Sequence, residues 1–319
     1  MSRAPAITVV AFGGNALWPA GSRGGTQDQI AHARLACKPL IARLRAGERM
    51  LIVFGNGPQV GAELLRSHAA RAEVEPAPLD VCVAATQATI GYLLELALRA
   101  ELAEAGLELP ISALASLVLV ERDDPAFAAP DKPVGPSYTA DDAARLARDR
   151  GWVVRPTHAS EDPPRFRRVV ASPRPLALID ESSVRALLDA GHIVLAGGGG
   201  GIPVARAADG SLVGVEAVID KDRTAALLGR LVGARELIDL TAVDHVQRGF
   251  GRPDARDLTH TTIAELQAMA AADEFPPGSM GPKIAAAIDF LATGERVLIT
   301  SLARLGEALE GRCGTWITR

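Results

Sequence analysis

The sequence predicts an α/β fold: a mostly parallel sheet covered by helices on both faces. Apolar β-like runs alternate with Ala/Leu/Arg-rich runs along the whole chain. The second kind carries apolar residues at three- and four-residue spacing, as in Ile284, Ile288 and Leu291, the repeat of one helix face. Several β-like runs also stop at glycine, as strands do before tight turns.

The elements follow in order. Ile7–Phe12 is a short, mostly apolar run closed by Gly13-Gly14. No small-residue cleavage site follows, so it predicts a first strand and not a signal peptide. Gln27–Ala46 predicts a helix, Met50–Phe54 a strand, and Val60–Arg71 and Val81–Ala105 two helices. Ile111–Val120 predicts a strand. The stretch 121–175 breaks the rhythm, being rich in Pro, Asp and Arg. A structureless loop of that size is improbable in a compact domain, so a small inserted subdomain or lid is expected there. Within it Ala140–Asp149 predicts a helix and Arg168–Ala171 a short β-like piece. Beyond it come the helix Ser182–Ala190, the strand His192–Ala196, the helix Arg223–Leu231 and the strand Glu236–Leu240. The helices Ile263–Ala272 and Pro282–Ala292 and the strand Arg296–Thr300 complete the series.

Composition narrows the function. The chain has 319 residues, 38 Asp plus Glu, 34 Lys plus Arg and a formal charge of −4. A slightly acidic chain without basic runs is a poor nucleic-acid binder. No stretch approaches the ~20 apolar residues that span a bilayer, and no membrane partner is expected. Cys37, Cys82 and Cys313 are far apart and in no metal or CxxC spacing, which suggests a reducing, cytoplasmic setting. The six histidines form no ligand spacing, and no protein-held metal is expected. Only four of the 34 basic residues are lysine: Lys38, Lys132, Lys221 and Lys283.

Four glycine turns lie beside these elements. They are Gly13-Gly14-Asn15, Gly55-Asn56-Gly57-Pro58-Gln59, Gly197–Gly201 and Gly278-Ser279-Met280-Gly281-Pro282-Lys283. In a parallel sheet such loops gather at the carboxyl edge, where ligands bind. Glycine lets successive N–H groups converge on an anion, and a helix N-terminus adds partial positive charge. Any one loop is adequately explained as a tight turn. Four together favour a polyphosphate or acyl-phosphate site. There is no GxxxxGK[ST] loop, no full GxGxxG and no GxSxG elbow, so P-loop, Rossmann and serine-hydrolase readings are weak.

Three lysines have suggestive settings. Lys221 lies between Asp220 and Asp222 before a predicted helix, with Asp222 the expected capping residue. That cluster suits a cation steered onto a phosphoryl group, and it also suits an ordinary solvated cap. Lys283 sits in the first turn of a helix, the unfavourable end for a cation, which suggests an anionic ligand. Lys132 lies in a rigid Pro/Gly turn, Pro130–Pro136, and a surface loop charge is the common alternative. Lys38, beside Pro39 in a helical run, has no such setting and is taken as structural.

On these motifs the chain resembles the carbamate kinases of the amino acid kinase superfamily. The strings are Ala11–Leu17 (AFGGNAL), Gly55–Gly61 (GNGPQVG), Leu79-Asp80-Val81, Ile90-Gly91-Tyr92 and Lys132–Pro136 (KPVGP). They continue with Arg168–Pro175 (RVVASPRP), Gly197–Val204 (GGGGGIPV), Val215–Asp222 (VEAVIDKD) and Gly278–Lys283 (GSMGPK). They keep the family order over nearly the whole chain. Phe54, Ala88, Phe166, Ala171 and the stretch Gln247-Arg248-Gly249 depart from the family pattern.

The resemblance implies a three-layer αβα sandwich with an open, mainly parallel sheet of about eight strands. It implies one domain over 1–319, with 121–175 as a protruding subdomain. About 1–214 would form the substrate side and about 215–319 the nucleotide side. It further implies a homodimer and reversible phosphoryl transfer between carbamoyl phosphate and ADP, with Mg²⁺ carried by the nucleotide. By the same resemblance, Gly13, Gly14, Asn15, Gly55, Asn56, Gly57 and Gly197, Gly198, Gly199 hold the substrate or the transferred group. Lys132 reaches the substrate from the subdomain. Lys221 and Lys283 stabilise the transferring phosphoryl group, and Asp222 organises them. Thr241, Asp244, Phe250, Ser279, Met280 and Lys283 face the nucleotide. A paralogue acting on another small carboxylate, or a non-catalytic sensor on the same fold, remains an alternative.

Overall fold

The computed structural model of the chain describes residues 5–19, 22–157, 163–275 and 280–319, with the backbone alone at Asn15 and Ala16. The main sheet has eight strands. In chain order they are β1 (Ile7–Phe12), β2 (Arg49–Phe54), β3 (Ile111–Ala113), β4 (Ile193–Leu195), β5 (Glu236–Thr241), β6 (His260–Thr262), β7 (Arg296–Ser301) and β8 (Thr315–Thr318). Across the sheet the order is β6-β8-β7-β5-β1-β2-β4-β3. β1, β2, β3, β4, β5 and β7 are mutually parallel. β8 runs antiparallel to β7 and pairs in parallel with β6.

The longer helices are α1 (Thr26–Cys37), α2 (Gly57–Ala69), α3 (Leu79–Glu104), α4 (Ala140–Arg150), α5 (Glu181–Asp189), α6 (Lys221–Val232), α7 (Ile263–Ala271) and α8 (Met280–Leu291). Side-chain alternation on the strands builds a core on each face. Val9, Ala11, Leu51, Val53, Leu237 and Ile299 pack with α5, α6, α7 and α8. Val10, Phe12, Ile52, Phe54, Ile238 and Leu298 pack with α1 and α3. Two covered faces explain why the central strands read as nearly continuous apolar runs.

Several expectations change in detail. The run Ile111–Val120 is not one strand. Ile111–Ala113 joins the main sheet, while Leu117–Leu119 enters a four-stranded sheet with Ala177–Leu178, Ile202–Arg206 and Leu212–Gly214. The helix expected over Gln27–Ala46 is broken by a 3₁₀ turn at Lys38–Leu40. Pro39 cannot donate to the helical ladder, so the chain restarts as a short helix at Ile41–Arg45. α3 is long and apolar enough to cross a membrane, against the expectation that no stretch would be. More than half of its apolar window is buried inside the fold.

Within 121–175 lies a three-stranded antiparallel sheet of Lys132–Tyr138, Phe166–Val170 and Val154–Pro156, with α4. Val134 and Val170 of this sheet bury against Val60 and Leu64 of α2, Leu79 and Val83 of α3, and Val218. That contact fastens the subdomain beside the carboxyl edge of the main sheet.

Candidate active site

Three glycine loops leave the carboxyl ends of β1, β2 and β4. They are close neighbours. A Cβ on Gly55 would stand 3.0 Å from the N atom of Gly14 and 3.3 Å from Cδ of Lys221. A Cβ on Gly13 would stand 3.9 Å from Cε of Lys221. The Lys221 stem therefore lies against the first two loops. In the third loop a Cβ on Gly199 would stand 2.5 Å from Nδ2 of Asn56, so only glycine lets this loop lie on the Asn56 amide.

Buried polar side chains hold the loops in place. Gln87 of α3 donates to the Gly198 carbonyl at 2.7 Å and accepts from the Ser116 N–H at 2.7 Å. Ser116 Oγ accepts from the Gly197 N–H at 2.9 Å, and Thr224 donates to the Gly200 carbonyl at 2.7 Å. The Asn56 amide donates to Thr86 Oγ1 at 3.0 Å. Its carbonyl oxygen is buried and has no partner among the described residues. Phe54 fills the space where a side chain on Gly198 would go.

Four charged side chains close a ring beside these loops. Lys221 donates to Asp222 and, at 2.8 Å, to Oδ1 of Asp239. Lys283 donates to Oδ2 of Asp222 at 3.0 Å and to both oxygens of Asp239 at 3.2 Å. Lys221 and Asp222 open α6, Lys283 lies in the first turn of α8, and Asp239 projects from β5. All four are largely buried, Asp239 to the point of 3% exposure. Burial pushes the Asp222 carboxyl up, but Lys221 and Lys283 outweigh it and hold the group far below the usual carboxylate range. Burial raises Asp239, and the neighbouring Asp222 adds to the rise. Burial lowers Lys283, but Asp222 and Asp239 more than restore its charge.

A further pair joins the subdomain to the ring. Lys132 forms an ion pair with Oδ2 of Asp220, whose Oδ1 accepts the Asp222 N–H at 2.9 Å. Burial raises the Asp220 carboxyl, and Lys132 overrides it to give a net lowering. Asp220, not the expected Asp222, is thus the N-cap of α6. α6 begins at Lys221, two residues before the expected start, because that cap stands one residue before it.

The amino acid kinase family model matches residues 6–301. The chain belongs to the amino acid kinase family. A carbamate kinase of Thermococcus kodakarensis is 41% identical over 316 residues, spanning 98% of each chain. The solved carbamate kinase of Giardia lamblia bound to AMP-PNP is 36% identical, covers 99% of both chains and superposes with a TM-score of 0.87. The same enzyme bound to citric acid is 34% identical over 99% of both chains, with a TM-score of 0.91.

In this amino acid kinase the structure brings Lys221, Asp222 and Lys283 together and sets Lys132 at their edge. Gly13, Gly14, Gly55, Asn56, Gly57, Gly197, Gly198 and Gly199 belong to the surrounding loops. Thr241 ends β5 two residues beyond Asp239, and Asp244 lies in the turn that follows. Met280 opens α8 and packs on the core, so that helix starts two residues before the expected Pro282. Phe250 is not drawn into the ring: it stands 60% exposed in the loop that joins the paired strands Val246–Arg248 and Arg256–Leu258. Ser279 and the Asn15 side chain lie outside the described residues. Lys38 is exposed on its 3₁₀ turn. Among the described residues no three His, Cys, Asp or Glu side chains cluster to hold a metal.

Sequence reasoning missed Asp239, Gln87, Ser116, Thr86 and Thr224, and treated Asp220 only as a flanking charge. One signal was available for Asp239. A carboxylate in the middle of the apolar run ELIDLT has to be paired once both faces of the strand are buried.

Proposed function

We propose that the chain is a carbamate kinase, moving a phosphoryl group reversibly between carbamoyl phosphate and ADP to give carbamate and ATP. The observation that carries this is the ring: two lysines from different helices held at one point beside three glycine loops. The Thermococcus kodakarensis and Giardia lamblia relatives, matched over nearly their whole length, are carbamate kinases.

Phosphoryl transfer asks a protein for positioning and charge neutralisation more than for covalent chemistry. Lys221 and Lys283 supply positive charge where the equatorial oxygens of the transferring group would lie, with Asp222 fixing their direction. The backbone of Gly13, Gly14, Asn15, Gly55 and Gly57 and of Gly197–Gly199 would line the substrate, with the buried Asn56 amide beside it. Lys132, on a subdomain that acts as the lid, would leave Asp220 to meet the carbamoyl phosphate. No general base is required, because the attacking carbamate or ADP oxygen is already ionised. Thr241, Asp244, Met280 and Ser279 would border the nucleotide, with Phe250 farther out near the adenine. The carboxylates of the site are engaged by lysines, which suits a Mg²⁺ that arrives on the nucleotide phosphates and neutralises their charge. A cytoplasmic homodimer, with the substrate on the 1–214 side and nucleotide on the 215–319 side, completes the proposal.

The test is a coupled assay for ATP made from ADP and carbamoyl phosphate by the purified, folded chain. Absence of turnover above background would remove the reading. Acetyl phosphate run in parallel distinguishes a paralogue with another acyl donor: its preference over carbamoyl phosphate would reassign the substrate.

A further inference from the structure

We propose that Asp239 is a positioning residue for phosphoryl transfer: from the centre of the sheet it holds the ammonium groups of Lys221 and Lys283 at one point. The inference rests on the reaction proposed above and adds a residue to it.

The geometry carries the argument. Two ammonium groups repel, and in a buried site little water screens them. Asp222 offers one oxygen to each lysine, Oδ1 to Lys221 and Oδ2 to Lys283. A single carboxylate leaves one of two positive charges uncompensated. Asp239 supplies the second negative charge and shares its Oδ1 between the two lysines, at 2.8 and 3.2 Å. The two Nζ atoms therefore meet at one oxygen.

The origin of that oxygen matters. Lys221 and Asp222 both start α6, so they move with that helix. Lys283 belongs to α8. Asp239 belongs to β5, in register with Ala11 of β1 on one side and Ile299 of β7 on the other. It is the member of the ring anchored in the parallel sheet. The glycine loops leave the same sheet from β1 and β2, so Asp239 references both lysines to the frame that carries the substrate loops. Its carboxyl needs no contact with substrate to do this. A site held to within a fraction of an ångström by buried partners is what transfer between two bound substrates requires.

Two substitutions test the role, each read as kcat and KM for both substrates together with the thermal midpoint. Asp239→Asn keeps the shape and removes the charge. Asp239→Glu keeps the charge and moves the carboxylate by one methylene. The expected result is a fall in kcat of at least tenfold in each, measured per folded molecule, with KM for carbamoyl phosphate not raised. A purely structural role would lower the midpoint and leave kcat of the folded fraction intact. A fall smaller than tenfold in either folded variant, or a loss expressed as raised KM, overturns the proposal. If Asp239→Asn does not fold, Asp239→Glu decides alone, because it keeps the ring neutral. If the unsubstituted protein makes no ATP from carbamoyl phosphate and ADP, the reaction itself fails and not the role of Asp239.

Discussion

Gly61 of α2 lies so close to Gly135 of the Lys132-bearing strand that a Cβ on Gly61 would overlap the Gly135 Cα. Gly135 itself has φ +71°. Here two backbones touch with no side chain between them. The contact ties the strand that begins at Lys132 to the helix that begins at Gly57, so one end of α2 carries the second glycine loop and its middle locates the subdomain. Gly61→Ala has to push the strand away. A destabilisation of about 1–3 kcal/mol is expected from the overpacking. Displacement of Lys132 by about an ångström is expected to cost at least about tenfold in kcat. Denaturant midpoints and kcat together check this. A destabilised variant with unchanged kcat would mean that Lys132 is not located through this contact.

The ring sets a strict limit on which cation fits. Lys221 and Lys283 each meet both Asp222 and Asp239, and a planar guanidinium cannot place its charge where a compact ammonium does. Lys221→Arg and Lys283→Arg are each expected to lower kcat by about 10²-fold or more, the scale of losing one charge-stabilising group in a transition state. Lys38→Arg, on the exposed turn after α1, is expected to leave kcat unchanged. Near-normal turnover in either ring variant would take that lysine out of the chemistry.

Asp220 does two jobs that substitution can separate. Asp220→Asn keeps an acceptor for the Asp222 N–H, since Asn and Asp cap helices about equally well. It removes the charge opposite Lys132. Asp220→Ala removes the cap as well and is expected to be less stable than Asp220→Asn by about 1 kcal/mol. In the proposed reaction Asp220 competes with the substrate for Lys132. Asp220→Asn is therefore expected to lower KM for carbamoyl phosphate several-fold. A raised KM would show instead that Asp220 steers Lys132 toward the substrate.

The sequence carried the central strands and the ring lysines for a physical reason. β1, β2, β5 and β7 are buried on both faces, so each is a mostly apolar run of strand length ended by a turn. β6 and β8 were illegible, because His260–Thr262 and Thr315–Thr318 are short and Thr-rich at one edge of the sheet. Ile111–Val120 reads as one strand because nothing local marks Ser116 as a junction. Its importance comes from Gln87 and Gly197, which are distant in sequence. Lys221 and Lys283 stand out because lysine is rare in this chain and both lie inside motif strings. Asp239 did not stand out, because its partners lie 18 and 44 positions away. Local pattern marks a carboxylate inside a buried strand as needing a counter-charge, but it does not show which lysines supply it.

The inserted subdomain is also held at its outer end, and there pH matters. Trp152 is buried, with the Arg168 guanidinium 4.6 Å and the Arg150 guanidinium 5.0 Å from its ring centre. His68, in the last turn of α2, meets the same indole at 5.9 Å between ring centres. Burial lowers the His68 pKa first, and Arg150 and Arg168 lower it further. A free histidine titrates near ~6.5, so between that value and the lower folded one the unfolded chain holds more protons than the folded chain. Stability must then rise with pH through that window and fall as pH drops through it. Protonation would place a third cation against Trp152 and loosen the subdomain from α2. His68→Phe keeps a ring on the indole and removes the titration. The difference in thermal midpoint between pH 7 and pH 5 is expected to be smaller in His68→Phe than in the unsubstituted protein, the background from other groups being common to both. Equal differences in the two proteins would show that His68 does not carry this pH dependence.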